Sequence, residues 1–330
     1  MNNSIDYLKI ISIVLVIVIV ISAGLILIRL LENNNNHFRG AVVKDGVVKY
    51  QGNEYDLKDS VESYLVIGLD KYTGEDRADS HESGIQADFI IVLVFDNETK
   101  QCTALQINRD TVTKVNMLSI GGTAVVGVYD KQIALSYAYV EDDNAKIRCG
   151  NTKDSVQNLL NGVKIDHYFA ITMDGLVTLN DLVGGVDVLV LDDFSGIDDS
   201  LVKGENITLR GEQALRYVRA RKGMEDNTNI ARMERQKQYI RALYEKLELR
   251  LNEDEMFAVT LLEQMSDHTV YDISEQKIQK LSERYSDYEF LGIKTFEGES
   301  RVVDGYMEFH PDADSVWEIV LSLFYNKKIN

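Results

Sequence analysis

Three short runs of almost unbroken apolar residues set what this chain can fold into: Tyr64–Leu69, Phe89–Phe95 and Cys102–Ile107. A strand that is apolar on both sides belongs in a sheet covered from both faces. Each run also meets charge at one end. Asp70 follows the first, Asp88 precedes the second, and Asn108-Arg109-Asp110 follows the third. In open α/β sheets ligands collect outside the strand ends, although a charge there is also a common way to end burial. Further strands are expected over Tyr168–Thr172 and Val186–Leu191, with helical patterns over Lys153–Leu160 and Leu176–Leu182. Strands and helices mixed in this way predict an α/β fold: a three-layer α/β/α sandwich with a central mixed sheet and no dividing linker.

The first residues are a different material. Ile10–Ile28 carries no charge and is dominated by Ile, Val and Leu. As a helix rising about 1.5 Å per residue, it roughly matches a hydrocarbon core of about 30 Å. A cleavable leader would end soon after a small-residue site, but Ser22-Ala23-Gly24 runs on into Leu25-Ile26-Leu27-Ile28. An uncleaved transmembrane anchor is therefore expected. Lys9 before it and Arg29 and Arg39 after it leave its direction open. Asn33–Asn36 reads as a polar spacer. Lys44-Asp45-Gly46, between Ala41-Val42-Val43 and Val47–Tyr50, reads as a hairpin turn.

The chain is strongly acidic, with a net charge of −18, yet Arg210–Lys246 holds ten Lys/Arg against five Asp/Glu. Arginine stays charged and presents a planar fork that matches phosphate oxygens in pairs. Arg219, Arg221, Arg232 and Arg235 thus mark a candidate site for a multiply charged anion. The structural alternative is a solvated helix face paired with Glu225, Asp226 and Glu234. The overall acidity excludes a nucleic-acid partner, which needs a broad basic surface. Cys102 and Cys149 lack metal-ligand spacing and read as reduced, partly buried thiols. The five scattered histidines give no support to a zinc site or a Ser-His-Asp triad.

A helix is expected over Gly211–Arg221, stopped by Gly223. Because Arg219 and Arg221 are two apart, they can converge only where that helix unwinds. A second helix is expected from Asn229 to about Asn252. On it Arg232, Arg235, Gln236 and Tyr239 form a polar stripe, with Ile240 and Leu243 turned to the core. Phosphate chemistry needs cations, and a divalent metal on one or two carboxylates is the usual supplement. Asp70 and Asp88 are the candidates.

The chain resembles the LytR-CpsA-Psr family of Gram-positive cell-envelope proteins. The matching pieces stand in order: Ile67-Gly68-Leu69-Asp70, Ala87-Asp88-Phe89-Ile90, Ile107-Asn108-Arg109-Asp110-Thr111, and Asp130-Lys131-Gln132-Ile133 with Tyr137-Ala138-Tyr139. Gly184-Gly185-Val186-Asp187-Val188, Leu209–Arg221 and Arg232-Met233-Glu234-Arg235-Gln236 follow.

The resemblance covers about residues 60–330. It implies a transferase that moves a glycopolymer (teichoic acid, capsule or another wall polysaccharide) from a polyprenyl pyrophosphate carrier onto a peptidoglycan acceptor, forming a phosphodiester, with Mg²⁺ or Mn²⁺. The implied layout is a cytoplasmic tail over 1–9, an anchor over 10–31 in the cell membrane, a spacer and hairpin over 32–59, and an extracellular catalytic domain over 60–330. Carried over by motif, Asp70 and Asp88 hold the metal. Arg109, Arg219, Arg221 and Arg232 grip the pyrophosphate, and Asp110 orients Arg109. Lys131, Arg235 and Gln236 bind substrate. Three departures stand out: Asn108 where many members have proline, Gln86 where a basic residue is frequent, and Asn229 where an aspartate is common, with Asp226 as its expected substitute. A non-catalytic lipid binder or regulator and a pyrophosphate hydrolase are the alternatives.

Overall fold

The computed structural model describes residues 42–44, 47–71, 85–122, 124–140, 144–221, 223–226, 228–254, 256–273, 284–285 and 288–328. The expected tail, anchor and asparagine spacer lie outside these residues. Among the described residues no helix is long and apolar enough to cross a membrane.

The chain opens with β1 (Val42–Lys44), β2 (Val47–Tyr50) and β3 (Asn53–Leu57). β1 and β2 pair antiparallel with Val43 opposite Val48, the hairpin expected from the Asp-Gly step. Then come β4 (Val61–Leu69), β5 (Ala87–Asp96), β6 (Gln101–Ile107), β7 (Val112–Leu118), β8 (Val125–Gln132) and a 3₁₀ turn over Ile133–Ser136. Helix α1 (Ala145–Leu159) leads to β9 (His167–Thr172), α2 (Met173–Leu182), β10 (Val186–Leu189) and β11 (Asn206–Leu209). Next are α3 (Glu212–Arg219), α4 (Asn229–Glu253), α5 (Phe257–Met265) and β12 (Thr269–Tyr271). The last elements are β13 (Glu289–Lys294), β14 (Gly298–Val303), β15 (Tyr306–Pro311), α6 (Ala313–Phe324) and β16 (Tyr325–Lys327).

The fold is mixed α/β. Its central mixed sheet has the strand order β12–β9–β4–β5–β6–β13. The three apolar runs are the middle strands, and Leu65, Ile67, Ile90, Val92 and Leu105 are fully buried there. Burying each such side chain contributes about 1.5–3 kcal/mol. β5 and β6 pair antiparallel, with Ile90 opposite Ile107 and Phe95 opposite Cys102. At the other end of this pair, the Asp96 carboxylate accepts from Lys58 Nζ and Ser60 Oγ, each at 2.9 Å. Cys102 and Cys149 are free and buried, as expected.

The chain divides into two compact units. One takes in the described residues up to Ile67, then Gln86–Tyr168 and the part from Leu291; the other takes in the described residues of Gly68–Ile85 and Phe169–Phe290. In the first, β16 pairs antiparallel with β3, and β7 pairs with β8 as a separate ribbon. In the second, β10 pairs with β11. Gly185 makes that pairing possible: at φ +92°, a Cβ on it would fall 2.8 Å from the Leu209 carbonyl oxygen. Thr172 caps α2 by accepting from Gly175 N, and Thr228 caps α4 by accepting from Ala231 N, both at 3.2 Å.

Two sequence expectations need correction. Helix α3 stops at Arg219, because Ala220 is extended (φ −52°, ψ 131°), so Arg221 lies past the helix. On α4 the arginine stripe is itself the buried face: Arg235 and Tyr239 are 0% and 1% exposed, and Leu243 and Leu247 continue the stripe inward. Ile240 is only half-buried. Residues three and four apart share one helix face, and that face finds polar partners inside the protein.

Candidate active site

The β5–β6 register ends at Ile90 opposite Ile107, and Asp88 and Arg109 stand two residues beyond that pair. Arg109 Nη1 donates to Asp88 Oδ1, and Nη2 donates to Gln86 Oε1. Arg109 Nε stands 3.5 Å from Asp110 Oδ1. Arg109 and Asp110 are both buried. A buried guanidinium held on two sides keeps a fixed orientation, which is what recognition of a planar pair of oxygens requires.

Asn108, one of the departures from the family pattern, supplies a turn at the strand exit. Its Oδ1 accepts from Asp110 N at 2.9 Å, and its carbonyl oxygen accepts from Thr111 N at 3.0 Å. Gln132, to which sequence reading gave no role, donates from Nε2 to Asp110 Oδ1 at 3.2 Å and to the Met307 carbonyl at 2.6 Å. The neighbouring Lys131 is exposed on β8, opposite Thr113.

The second cluster belongs to the other unit. Asp70 follows directly on β4, and its Oδ1 accepts from Arg219 Nη2 at 3.2 Å. Arg219 ends α3, and Arg221 follows the extended Ala220, half-buried. The helix ends between these arginines, which is the condition for their convergence on one ligand. Arg232, in the first turn of α4, is buried and donates to Asn229 Oδ1. Asn229 thus serves Arg232 itself. Asp226, the expected substitute, instead accepts from Thr228 N at 2.9 Å within the loop.

Arg235 does something the sequence did not suggest. Its Nε donates to the Tyr217 carbonyl at 2.9 Å, Nη2 donates to the Ala220 carbonyl, and Nη1 pairs with Asp192. Its guanidinium also lies 5.5 Å from the Phe194 ring centroid. Gln236 Nε2 donates to the Val218 carbonyl at 3.3 Å. Carbonyls at a helix C-terminus lack partners within the helix. Arg235 and Gln236 supply side-chain donors to carbonyls in the last turn of α3 and just past it, tying down the segment that carries Arg219 and Arg221. Nearby, Tyr239 Oη donates to Asn180 Oδ1 at 3.0 Å, and burial pushes the Tyr239 phenol up. Burial likewise pushes the Tyr217 phenol up to about 12. Asn180 and Asp192 carried no motif signal, since their partners are distant in sequence, whereas Gln132 stands in a matched piece that pointed to Lys131.

The first cluster therefore sets the buried Arg109 against Asp88 and Asp110. The second holds Asp70 by Arg219, with the half-buried Arg221 and the buried Arg232 in the same unit. Among the described residues no three His, Cys, Asp or Glu side chains stand together. Asp70 in one unit and Asp88 in the other are each oxygen donors of the kind Mg²⁺ takes, which needs only one or two protein carboxylates and completes its shell from water and substrate.

The profile of the LytR_cpsA_psr family matches residues 31–323, most of the length of the chain. The chain belongs to the LytR_cpsA_psr family. Among its relatives is the polyisoprenyl-teichoic acid–peptidoglycan teichoic acid transferase TagU of Enterococcus faecalis. It is 34% identical over 226 residues, 68% of this chain and 65% of the relative. Biofilm regulatory protein A of Streptococcus mutans is 31% identical over 254 residues, 74% of this chain and 58% of the relative. The chain spans about half to two thirds of the length of the curated relatives it matches. In fold it is similar to the crystal structure of Bacillus subtilis TagV, with a TM-score of 0.56 and 24% identity, covering 81% of this chain and 97% of that one.

Proposed function

We propose that this chain is an Mg²⁺-dependent phosphotransferase, with Mn²⁺ as the substitute ion, that moves a glycopolymer from a polyprenyl pyrophosphate carrier onto peptidoglycan. The observation that carries the reading is Arg109, buried and held by Asp88 and Gln86, in a family whose relatives include a named teichoic acid transferase. In this reading the residues over 10–31 anchor the chain in the cell membrane, and the folded part works outside the cell.

The reaction balances without an added reductant or oxidant. An acceptor sugar hydroxyl attacks the phosphorus that bears the glycan. The bond from that phosphorus to the bridging oxygen breaks, the glycan keeps a phosphodiester to the acceptor, and polyprenyl phosphate leaves. The hydroxyl proton passes to solvent. Arg109, with Asp110 against its Nε, orients phosphate oxygens, as do Arg219, Arg221 and Arg232. Lys131 adds long-range positive charge. Asp70 and Asp88 would hold the divalent ion, which when bound neutralises charge on phosphate oxygens. Arg235 and Gln236 act as positioning residues through the end of α3.

The test is turnover by the full chain in vesicles, with a polyprenyl pyrophosphate-linked saccharide and peptidoglycan fragments. A phosphodiester-linked product is expected, abolished by EDTA, restored by Mg²⁺, and absent in Arg109→Ala. Free polyprenyl phosphate without that product would establish a hydrolase instead. Lipid binding with no turnover would favour a regulator, the reading suggested by the relative named biofilm regulatory protein A.

A further inference from the structure

β8 is the free edge of the two-stranded β7–β8 sheet. Val125, Val126, Val128 and Tyr129 on it are 54%, 62%, 50% and 47% exposed, and Ile120, before β8, is 81% exposed. Proteins usually blunt such an edge with lysine, proline or a covering element. This ribbon instead separates its chemistry along its length. From Val115 to Val128 there is no charged residue, in a chain of which 27% is charged. Lys114, Asp130 and Lys131 gather at the other end, where Lys114 Nζ meets Asp130 Oδ1 at 3.3 Å.

The distribution across the strand matters as well. Successive side chains of a strand point to opposite faces, but a bulge at Val126 shifts the register, with Leu118 opposite Val125 and Asn116 opposite Val128. Val125 and Val128 thus share one face, and Tyr129, opposite Val115, lies on the other. An added strand would cover the edge, and a packed protein surface would cover one face. A lipid interface surrounds a ribbon on both. An uncharged end with lysines and a tyrosine behind it suits entry to headgroup depth, apolar side chains below and the polar groups level with water.

The chain leading to the fold is consistent with this occupant. Thirteen residues, 29–41, lie between Ile28, the end of the uncharged run, and Val42. Fully extended at about 3.6 Å per residue, that stretch reaches about 50 Å. A bilayer holding that run thus stays within reach of the unit to which both β1 and the ribbon belong.

We infer that the β7–β8 ribbon is a second membrane contact, lying at headgroup depth in the bilayer that holds the anchor. This rests on the membrane-anchored reading of the function, in which the donor is presented by a lipid.

Cys102 and Cys149 are buried, 4% and 0% exposed, so a cysteine introduced at an exposed position takes a spin label alone. The full chain carrying Val126→Cys, in vesicles of phosphatidylcholine and phosphatidylglycerol, is compared with Glu98→Cys on the exposed β5–β6 turn. The ratio of oxygen to nickel-chelate accessibility is expected to be several-fold higher at position 126, because oxygen concentrates in lipid and the chelate stays in water. Equal ratios overturn the proposal. So does spin–spin broadening at position 126 that disappears on diluting the chain in lipid, which would assign the ribbon to a second copy. A Val126→Asp/Val128→Asp variant should lose about 10-fold in turnover of a vesicle-borne donor and nothing on a short-chain, water-soluble donor. If the parent chain turns over neither donor, the transferase reading fails, while the depth measurement still decides the ribbon.

Discussion

Asp88 and Arg109 form an ion pair just beyond Ile90 and Ile107, where the antiparallel β5–β6 register ends. Removing one partner of a buried pair leaves the other charge without compensation. We expect Asp88→Ala to cost about 3–5 kcal/mol, read as a lower urea midpoint at unchanged slope, and Asp88→Asn to cost less because an acceptor remains. An unchanged midpoint in the alanine variant would mean that water already solvates Arg109.

Arg235 and Arg221 separate support from chemistry. Arg235→Lys removes the fork that holds two carbonyls and Asp192, and about 3 kcal/mol of stability should go with it. Its turnover per folded molecule should change little at low temperature. Arg221→Lys should leave the unfolding midpoint within about 0.5 kcal/mol while turnover falls about 10²-fold. The reverse pattern would return Arg235 to direct substrate contact.

Asn229 gives a smaller, more diagnostic effect. Asn229→Ala removes the Oδ1 that orients Arg232, and KM for the pyrophosphate donor should rise about 10-fold, the worth of one hydrogen bond to a charged group. Asn229→Asp keeps an acceptor in place and should recover most of that loss. Failure of the aspartate to rescue would point to a role for the amide beyond orientation.

Acid should weaken the fold through three carboxylates. For Asp96 burial opposes ionisation, but Lys58, Ser60 and the Glu98 amide outweigh it and hold the group below its usual value. For Asp198 burial is likewise outweighed, by Ser200 and Arg216, and Asp187 is held low by Lys246 and Thr208. A carboxyl whose folded value is depressed stabilises fully above the unfolded value, near pH 4, and loses that contribution as pH falls through the folded value. The melting temperature should therefore decline from about pH 4 downward. Lys58→Met should lower stability at neutral pH and make that decline shallower; an equally steep decline would remove Asp96 from the account.

The parts of this fold legible in the sequence were those written in local pattern. β4, β5 and β6 followed from unbroken apolar runs, β1–β2 from Asp45-Gly46, and α4 from helical periodicity. The ribbon β7–β8 was not foreseen, because its uncharged, glycine-containing stretch has neither strict alternation nor a helical period. The burial of Arg235 was missed for a different reason. Charge in a pattern reads as solvent-facing, and its acceptors at Tyr217, Ala220 and Asp192 become neighbours only when α3 ends where it does. Of the candidate site, Asp70 and Arg219 were found as residues, but their contact across 149 positions belongs to the fold alone.

The β3–β16 pairing has a consequence for biogenesis. Tyr55 finds its partner in Lys327, about 270 positions later, and the Glu54 carbonyl accepts from Lys328 N at 2.8 Å. A chain emerging N-terminus first presents β3 long before it can be matched. The unit that houses Arg109 thus reaches its final sheet only after Tyr325–Lys327 has emerged, and a nascent chain stalled before Tyr325 exposes an unpaired strand edge to whatever chaperones attend it.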